Sequence, residues 1–189
     1  MRFDMTECTV ARISGACDWL RVRRLYKRAF PASERKPLSA IAAMRRRGKA
    51  DVWCFRQNGR FAGFATTVNG DGLIMIDYLA VEPSARNQGV GTQALTAICR
   101  AYPGMGVFVE IEDTSEPCDN QRERFRRRAF YERCGFAPTN TVASTFGTRF
   151  ELLCRDCTVD FAAYNAFYCT QIGAWAGEHI QPAPRAEAT

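Results

Sequence analysis

The 189-residue chain is 47% apolar with a formal net charge of +6, a size and composition that fit one α/β domain with a full core. No run approaches the roughly 18 apolar residues a membrane span needs. The N-terminus, with Asp4 and Glu7 and no apolar run, lacks the pattern of a secretory leader, so a cytoplasmic chain with no membrane association is expected. Nine cysteines are dispersed, and only Cys154 and Cys157 have metal-ligand spacing. With no second CxxC and no paired histidines to complete a ligand set, reduced thiols and no metal are expected.

Residues 7–14 alternate as a first strand. Asp18 is placed to N-cap a helix whose apolar side, Trp19, Val22, Leu25, Tyr26 and Phe30, recurs at helical spacing until Pro31. Leu38, Ile41, Ala42 and Met44 predict a second short helix ending near Gly48. Residues 51–57 and 60–68, joined by Asn58-Gly59, predict a β-hairpin. Leu73–Val81 is the next strand, followed by a polar loop and a helix from Gly91 to Arg100.

Past Pro103-Gly104, Val107–Glu112 returns to strand. A polar loop, 113–120, leads into an arginine-rich helix capped by Gly135. Strands near 136–143 and 150–154, an aromatic helix over 160–176 and a mobile tail over 181–189 complete the expectation. Residues 1–180 are expected to form a single domain. His179, the only histidine, sits beside the tail and is expected to be a solvated surface group. The aromatic residues of the last helix suit either core packing or a dimer face, so a monomer and a homodimer both stay open.

The chemistry concentrates after Leu73–Val81. Pro83 ends the strand, and Gly89 and Gly91 open the next helix, where backbone N–H groups without a nearby Cβ make a seat for phosphate oxygens. No Gly-x-x-x-x-Gly-Lys-Ser/Thr run exists for a P-loop. Gly89-x-Gly91-x-x-Ala94 matches the dinucleotide fingerprint as a pattern, but that fingerprint turns from strand directly into the first glycine, whereas residues 82–88 intervene here. No second βαβαβ half is available either.

Arg86-x-x-Gly89-x-Gly91, placed after Leu79-Ala80-Val81-x-Pro83, closely resembles the acetyl-CoA-binding motif of the GCN5-related N-acetyltransferases (GNAT). Tyr131-Glu-Arg-Cys-Gly135-Phe136 resembles the family's Tyr-x-x-x-Gly-Phe signature, and the order of elements over 7–155 agrees. The resemblance implies a mixed, largely antiparallel sheet flanked by helices, with splayed central strands binding acetyl-CoA as co-substrate. Leu79, Ala80 and Val81 would offer backbone groups to the pantetheine arm. Arg86, Asn87, Gln88, Gly89, Val90, Gly91 and Thr92 would surround the pyrophosphate. The family often has an asparagine seven residues before the tyrosine; here that position is Arg124, with Asn120 one turn earlier, and both are cofactor-contact candidates.

The implied activity is acetyl transfer to a primary amine of a small molecule or peptide by direct attack. Glu110 and Glu112, on one face of their strand, are the candidate bases, with the resemblance favouring Glu110; both equally suit surface carboxylates facing the nearby arginines. The resemblance makes Tyr131 the general acid, and core packing is its alternative. The loop 30–37 suggests Glu34, with Asp77, as substrate contacts, and each equally suits an exposed charge. Five arginines between 122 and 128 keep a toxin-like acetyltransferase acting on aminoacyl-tRNA open, although coenzyme A carries phosphates enough to explain a basic surface. A CoA-sensing domain without turnover is the non-enzymatic alternative.

Overall fold

The computed structural model describes residues 8–184. Its strands are hydrogen-bonded in the order β1-β2-β3-β4-β5-β7-β6-β8, a mixed α/β architecture with a mostly antiparallel sheet flanked by helices. The described residues divide into two compact units, one comprising 8–69 and 76–103, the other 70–75 and 104–184.

In the first unit, β1 (Cys8–Arg12) pairs antiparallel with β2 (Ala50–Gln57), which pairs antiparallel with β3 (Arg60–Asn69). Asn58 and Gly59 have φ of 51° and 73°, the left-handed pair that a two-residue hairpin turn requires. β4 (Leu73–Val81) contributes its 76–81 part. α1 (Ala16–Ala29) starts at Gly15 rather than at Asp18. Asp18 instead lies in the first turn, where its carboxylate suits the helix dipole and accepts from Arg56 of β2 and from Arg21. α1 and α2 (Leu38–Arg46) bury Val22, Leu25, Tyr26 and Ile41 in one cluster with Val52, Phe64 and Tyr78. After β4, a 3-10 turn over Pro83–Ala85 leads to α3 (Val90–Arg100), whose Ala94, Leu95 and Ile98 are fully buried.

In the second unit, β5 (Gly106–Glu112) pairs antiparallel with β7 (Thr148–Arg155), β7 with β6 (Ala137–Thr145), and β6 with β8 (Ile180–Pro182). α4 (Gln121–Arg133) enters between β5 and β6 in sequence. The aromatic run forms α5 (Phe161–Gln171), N-capped by Asp160, and a short α6 (Ala174–Gly177). Phe108 meets Phe167 and Tyr164 edge-on at 5.0 and 6.3 Å, and the Tyr164 hydroxyl is hydrogen-bonded to Thr145 at 2.7 Å. This aromatic helix therefore fills the core of its own unit. The segment expected to be a tail includes part of β8, and residues 185–189 lie outside the described residues. No helix among the described residues is long and apolar enough to cross a membrane.

Candidate active site

The first unit supplies a strand end, a glycine loop and a helix start. On β4, Asp77, Leu79 and Val81 alternate on the half-buried side while Ile76, Tyr78 and Ala80 are buried, as a pleated strand requires. Glycine at position 63 of β3 is what allows this end of β4 to pack closely. A Cβ there would collide with the Ala80 carbonyl oxygen and come within 3.1 Å of Val81 Cα and 2.8 Å of the Phe55 ring. Gly63→Ala is expected to cost about 1–3 kcal/mol by overpacking and to displace Ala80 and Val81, two of the expected cofactor contacts. A denaturation midpoint and a CoA titration on the same variant check both.

Beyond Pro83 the loop is built from backbone conformations. Asn87 and Gly89 have φ of 60° and 77°, and Gly89 is the N-cap of α3, with no side-chain cap. The first intrahelical bond runs from Gln93 N–H to the Gly89 carbonyl at 3.0 Å. Helix geometry provides no intrahelical carbonyl for the preceding amides, so Val90, Gly91 and Thr92 begin the helix with the positive end of its dipole directed into the loop. The Arg86 Nε donates to the Val81 carbonyl at 3.2 Å, and Gln88 donates to the Ser84 carbonyl at 2.8 Å. Arg86 thus ties the loop back onto the strand end, with its remaining guanidinium donors in an exposed position.

The loop over 31–37 is fastened by two tyrosines, Tyr26, expected only on the apolar side of its helix, and Tyr78, to which the sequence assigned no role. The Tyr78 hydroxyl donates to the Glu34 carbonyl at 2.7 Å and accepts from the Lys36 amide at 3.0 Å. The Tyr26 hydroxyl donates to the Lys36 carbonyl at 3.1 Å. Burial pushes the pKa of both phenols up, so they remain donors. Of the two expected substrate carboxylates, Asp77 pairs with Lys36 of the loop itself at 2.6 Å, and Glu34 lies at an exposed position of that loop.

The second unit holds the acid and base candidates. The Tyr131 ring is buried between Phe130 and Phe136, with centroids 5.1 and 5.6 Å away. The Tyr-x-x-x-Gly-Phe segment closes α4 as a Schellman motif. Phe136 N–H donates to the Tyr131 carbonyl at 3.1 Å and Gly135 N–H to the Glu132 carbonyl at 3.0 Å, with Gly135 at φ 86°. The edge-to-face contact of the Tyr131 and Phe136 rings is the apolar contact that accompanies such a cap. Burial raises the Tyr131 pKa, only partly opposed by the charge of Arg127.

Glu110 and Glu112 have different surroundings. Glu110 accepts a hydrogen bond from the Tyr168 hydroxyl of α5 at 2.6 Å. Glu112 meets the arginine helix: Arg127 at 2.5 Å, Arg124 at 3.2 Å and the Asn120 amide at 3.3 Å. Burial alone would raise the Glu112 pKa, but the hydrogen bond and charge of Arg127, with Asn120 and Arg124, hold it below the ordinary range. Arg124 also donates to the Asn120 side chain at 3.0 Å and the Asp113 carbonyl at 2.9 Å. The asparagine and arginine expected to touch cofactor are therefore also part of the lattice that anchors α4 to β5.

Cys154 lies beside Cys157 and hydrogen-bonds to it, which lowers the Cys157 pKa and, with burial, raises that of Cys154. All nine cysteines are free thiols.

Residues 19–136 match the model of the acetyltransferase (GNAT) family. The chain belongs to that family. The match takes in the glycine loop and ends on the phenylalanine of the Tyr-x-x-x-Gly-Phe cap. Glucosamine 6-phosphate N-acetyltransferase of Trypanosoma brucei brucei is 31% identical over 108 residues, 52% of this chain and 67% of the relative. Among solved structures, a protein assigned to the GNAT acetyltransferases from Bacteroides thetaiotaomicron superposes with a TM-score of 0.72 at 18% identity, covering 89% of this chain and 98% of its own. A Bacillus subtilis acetyltransferase in complex with CoA gives 0.58 at 15% identity, over 80% of this chain and 100% of its own. The protein is thus an acyl-CoA-dependent N-acetyltransferase by family, and the structural matches establish the shared fold.

Proposed function

We propose that this GNAT protein transfers the acetyl group of acetyl-CoA to a primary amine of a small molecule or peptide by direct attack on the thioester. The observation that carries the reading is the start of α3, where Gly89 provides no side-chain cap and the loop from Arg86 to Thr92 follows the end of β4. A helix N-terminus of this form favours the pyrophosphate of CoA. Leu79, Ala80 and Val81 would bind the pantetheine arm through their backbone, and Asn120 and Arg124 would add cofactor contacts. Residues 1–180 act in this reading as one acetyltransferase domain, supported by a family match that draws on residues of both compact units.

The reaction forms an N–C bond and breaks the C–S bond. The amine must attack as the neutral species, and Glu110, directly or through a water, takes its proton. Glu110 is favoured over Glu112 because the arginines around Glu112 stabilise its charged form and weaken it as a base. The Leu79 N–H stabilises the oxyanion. Tyr131, kept protonated by burial, gives its proton to the departing thiolate. The name of the trypanosome relative specifies a phosphorylated amino sugar, which supports the small-molecule end of the acceptor class.

Thermal unfolding with acetyl-CoA, CoA or NAD, followed by a free-thiol assay over a panel of amines, tests the proposal. At about 100 times its dissociation constant a ligand adds roughly 2.7 kcal/mol. A rise with acetyl-CoA and CoA, together with amine-dependent thiol release, is expected. A rise with NAD alone, or CoA binding with no turnover on any amine, would overturn it.

A further inference from the structure

One face of the first unit carries an open cleft of about 480 Å³ lined by α1, the 31–37 loop and the start of α2. Its volume falls within the range of small-ligand sites. Arg23, Lys27, Arg35 and Lys36 line it around the ring of Tyr26, and no acidic side chain does. Lys36 is neutralised by Asp77 at 2.6 Å. Elsewhere on α1, Arg21 pairs with Asp18 at 3.4 Å and Arg28 with Glu82 at 2.7 Å. Arg23, Lys27 and Arg35, by contrast, make no ion pair with a carboxylate among the described residues.

Arg23 and Lys27 are four residues apart, so they lie on one helix face and repel. Arg35 is half-buried, and its Nε is shielded from solvent without a hydrogen-bond partner. A buried guanidinium N–H that lacks an acceptor is an unfavourable arrangement, and three uncompensated cations around one small concavity add to it. Both disappear when an anion with several acceptor oxygens occupies the cleft. A guanidinium fork matches phosphate bidentately, and three unpaired cations suit a dianion better than a single carboxylate.

We infer that this cleft binds the phosphate group of the acceptor, making the substrate a phosphorylated primary amine. The word acceptor rests on the acetyltransferase reading; the anion site itself does not. Tyr78 and Tyr26 set the geometry by holding the 31–37 backbone through Glu34 and Lys36, which presents Arg35 and Lys36 on a fixed loop. Specificity would therefore come from cationic side chains at this loop, with Asp77 acting through Lys36.

The test compares glucosamine 6-phosphate with glucosamine, two amines that differ only in the phosphate, by calorimetric titration into the full chain and by thiol release in the presence of acetyl-CoA. Inorganic phosphate is titrated separately. The phosphorylated amine is expected to bind at least tenfold more tightly, inorganic phosphate to compete with it, and acetyl-CoA affinity to be unaffected by phosphate. Arg35→Ala should weaken glucosamine 6-phosphate tenfold or more with acetyl-CoA affinity retained. Arg23→Ala, at an exposed helix position, should weaken it in the same direction should Arg35→Ala fail to fold. Equal binding of the two amines, or folded variants that bind the phosphorylated amine as the parent does, overturns the site. Variants that lose acetyl-CoA instead also overturn it, because the cations would then serve the phosphates of CoA. Arg35-dependent phosphate binding without thiol release from any amine leaves the anion site standing and fails the transferase reading alone.

Discussion

Replacing Tyr131 by phenylalanine is expected to lower kcat by about 10²- to 10⁴-fold, the range associated with loss of a positioned general acid, while acetyl-CoA affinity is retained. The substitution removes one oxygen and keeps the ring that packs on Phe130 and Phe136, so the Schellman cap and the end of α4 persist. Burial holds the phenol protonated beyond its ordinary pKa near 10. The activity of the parent should therefore show no alkaline decline attributable to Tyr131 below about pH 10. Steady-state kinetics across pH and a CoA titration on both proteins give the answer. Unchanged kcat in Tyr131→Phe would reduce the tyrosine to a packing residue, and a parent with CoA affinity but no rate would favour a sensor.

The hairpin, β4, α3 and the loop between them were legible because local chemistry dictates them. Asn58-Gly59 demands left-handed backbone, Pro83 stops a strand, and Gly89 takes up a positive φ. The helix cap at Gly135 was legible for the same reason, although the sequence does not reveal that the cap also sets Tyr131 edge-on against Phe136. What escaped depends on partners far away in the chain. Asp18 carries a capping residue's signature, but its carboxylate is claimed by Arg56 from β2. β8 has three residues and no alternation to speak of; only its pairing to β6 defines it. Tyr26 and Tyr78 fit their apolar periodicities, and nothing local announces that their hydroxyls hold the 31–37 backbone.

The arginine group shows the same limit with a functional consequence. In sequence, five arginines between 122 and 128 suggest a surface for phosphates or nucleic acid. In the structure Arg124 and Arg127 meet Glu112, and Arg128 meets Glu132 and Glu151. Much of the charge density is thus compensated within its own unit, which weakens the argument for an RNA partner. It also separates the two glutamates: the one facing α4 is held ionised by arginines, and the one facing Tyr168 is left as the better base candidate.

These ion pairs replace an apolar stripe. Tyr131 is the one residue of α4 that is buried, so hydrophobic burial contributes little to holding the helix in place. Its attachment depends on Arg128, which reaches Glu151 at 3.1 Å and the Thr114 hydroxyl at 3.1 Å. Glu151 is 1% exposed, and besides Arg128 it accepts from the Thr114 hydroxyl at 2.6 Å and the Thr114 amide at 3.3 Å. Arg128→Ala removes the Arg128 guanidinium from this buried carboxylate, and is expected to destabilise by about 3 kcal/mol, the lower end for breaking a buried pair.

Adding Glu151→Gln should restore part of that loss, because the amide keeps an acceptor for Thr114 and carries no charge to strand. Urea midpoints of the parent, the single variants and the double variant measure the coupling. A folded Arg128→Ala protein with an unchanged midpoint would show that α4 is held by other means. The same lattice predicts acid lability. Burial raises the pKa values of Glu112 and Asp113, but hydrogen bonds and arginine charges outweigh it and leave both depressed. The stability they contribute is present in full above the ordinary carboxylate range near pH 4 and is lost as pH falls through their lower folded values. Arg127→Ala removes the largest stabilising partner of Glu112 and should shift the acid unfolding midpoint upward. An acid midpoint unmoved by that change would exclude Glu112 as a source of the acid lability.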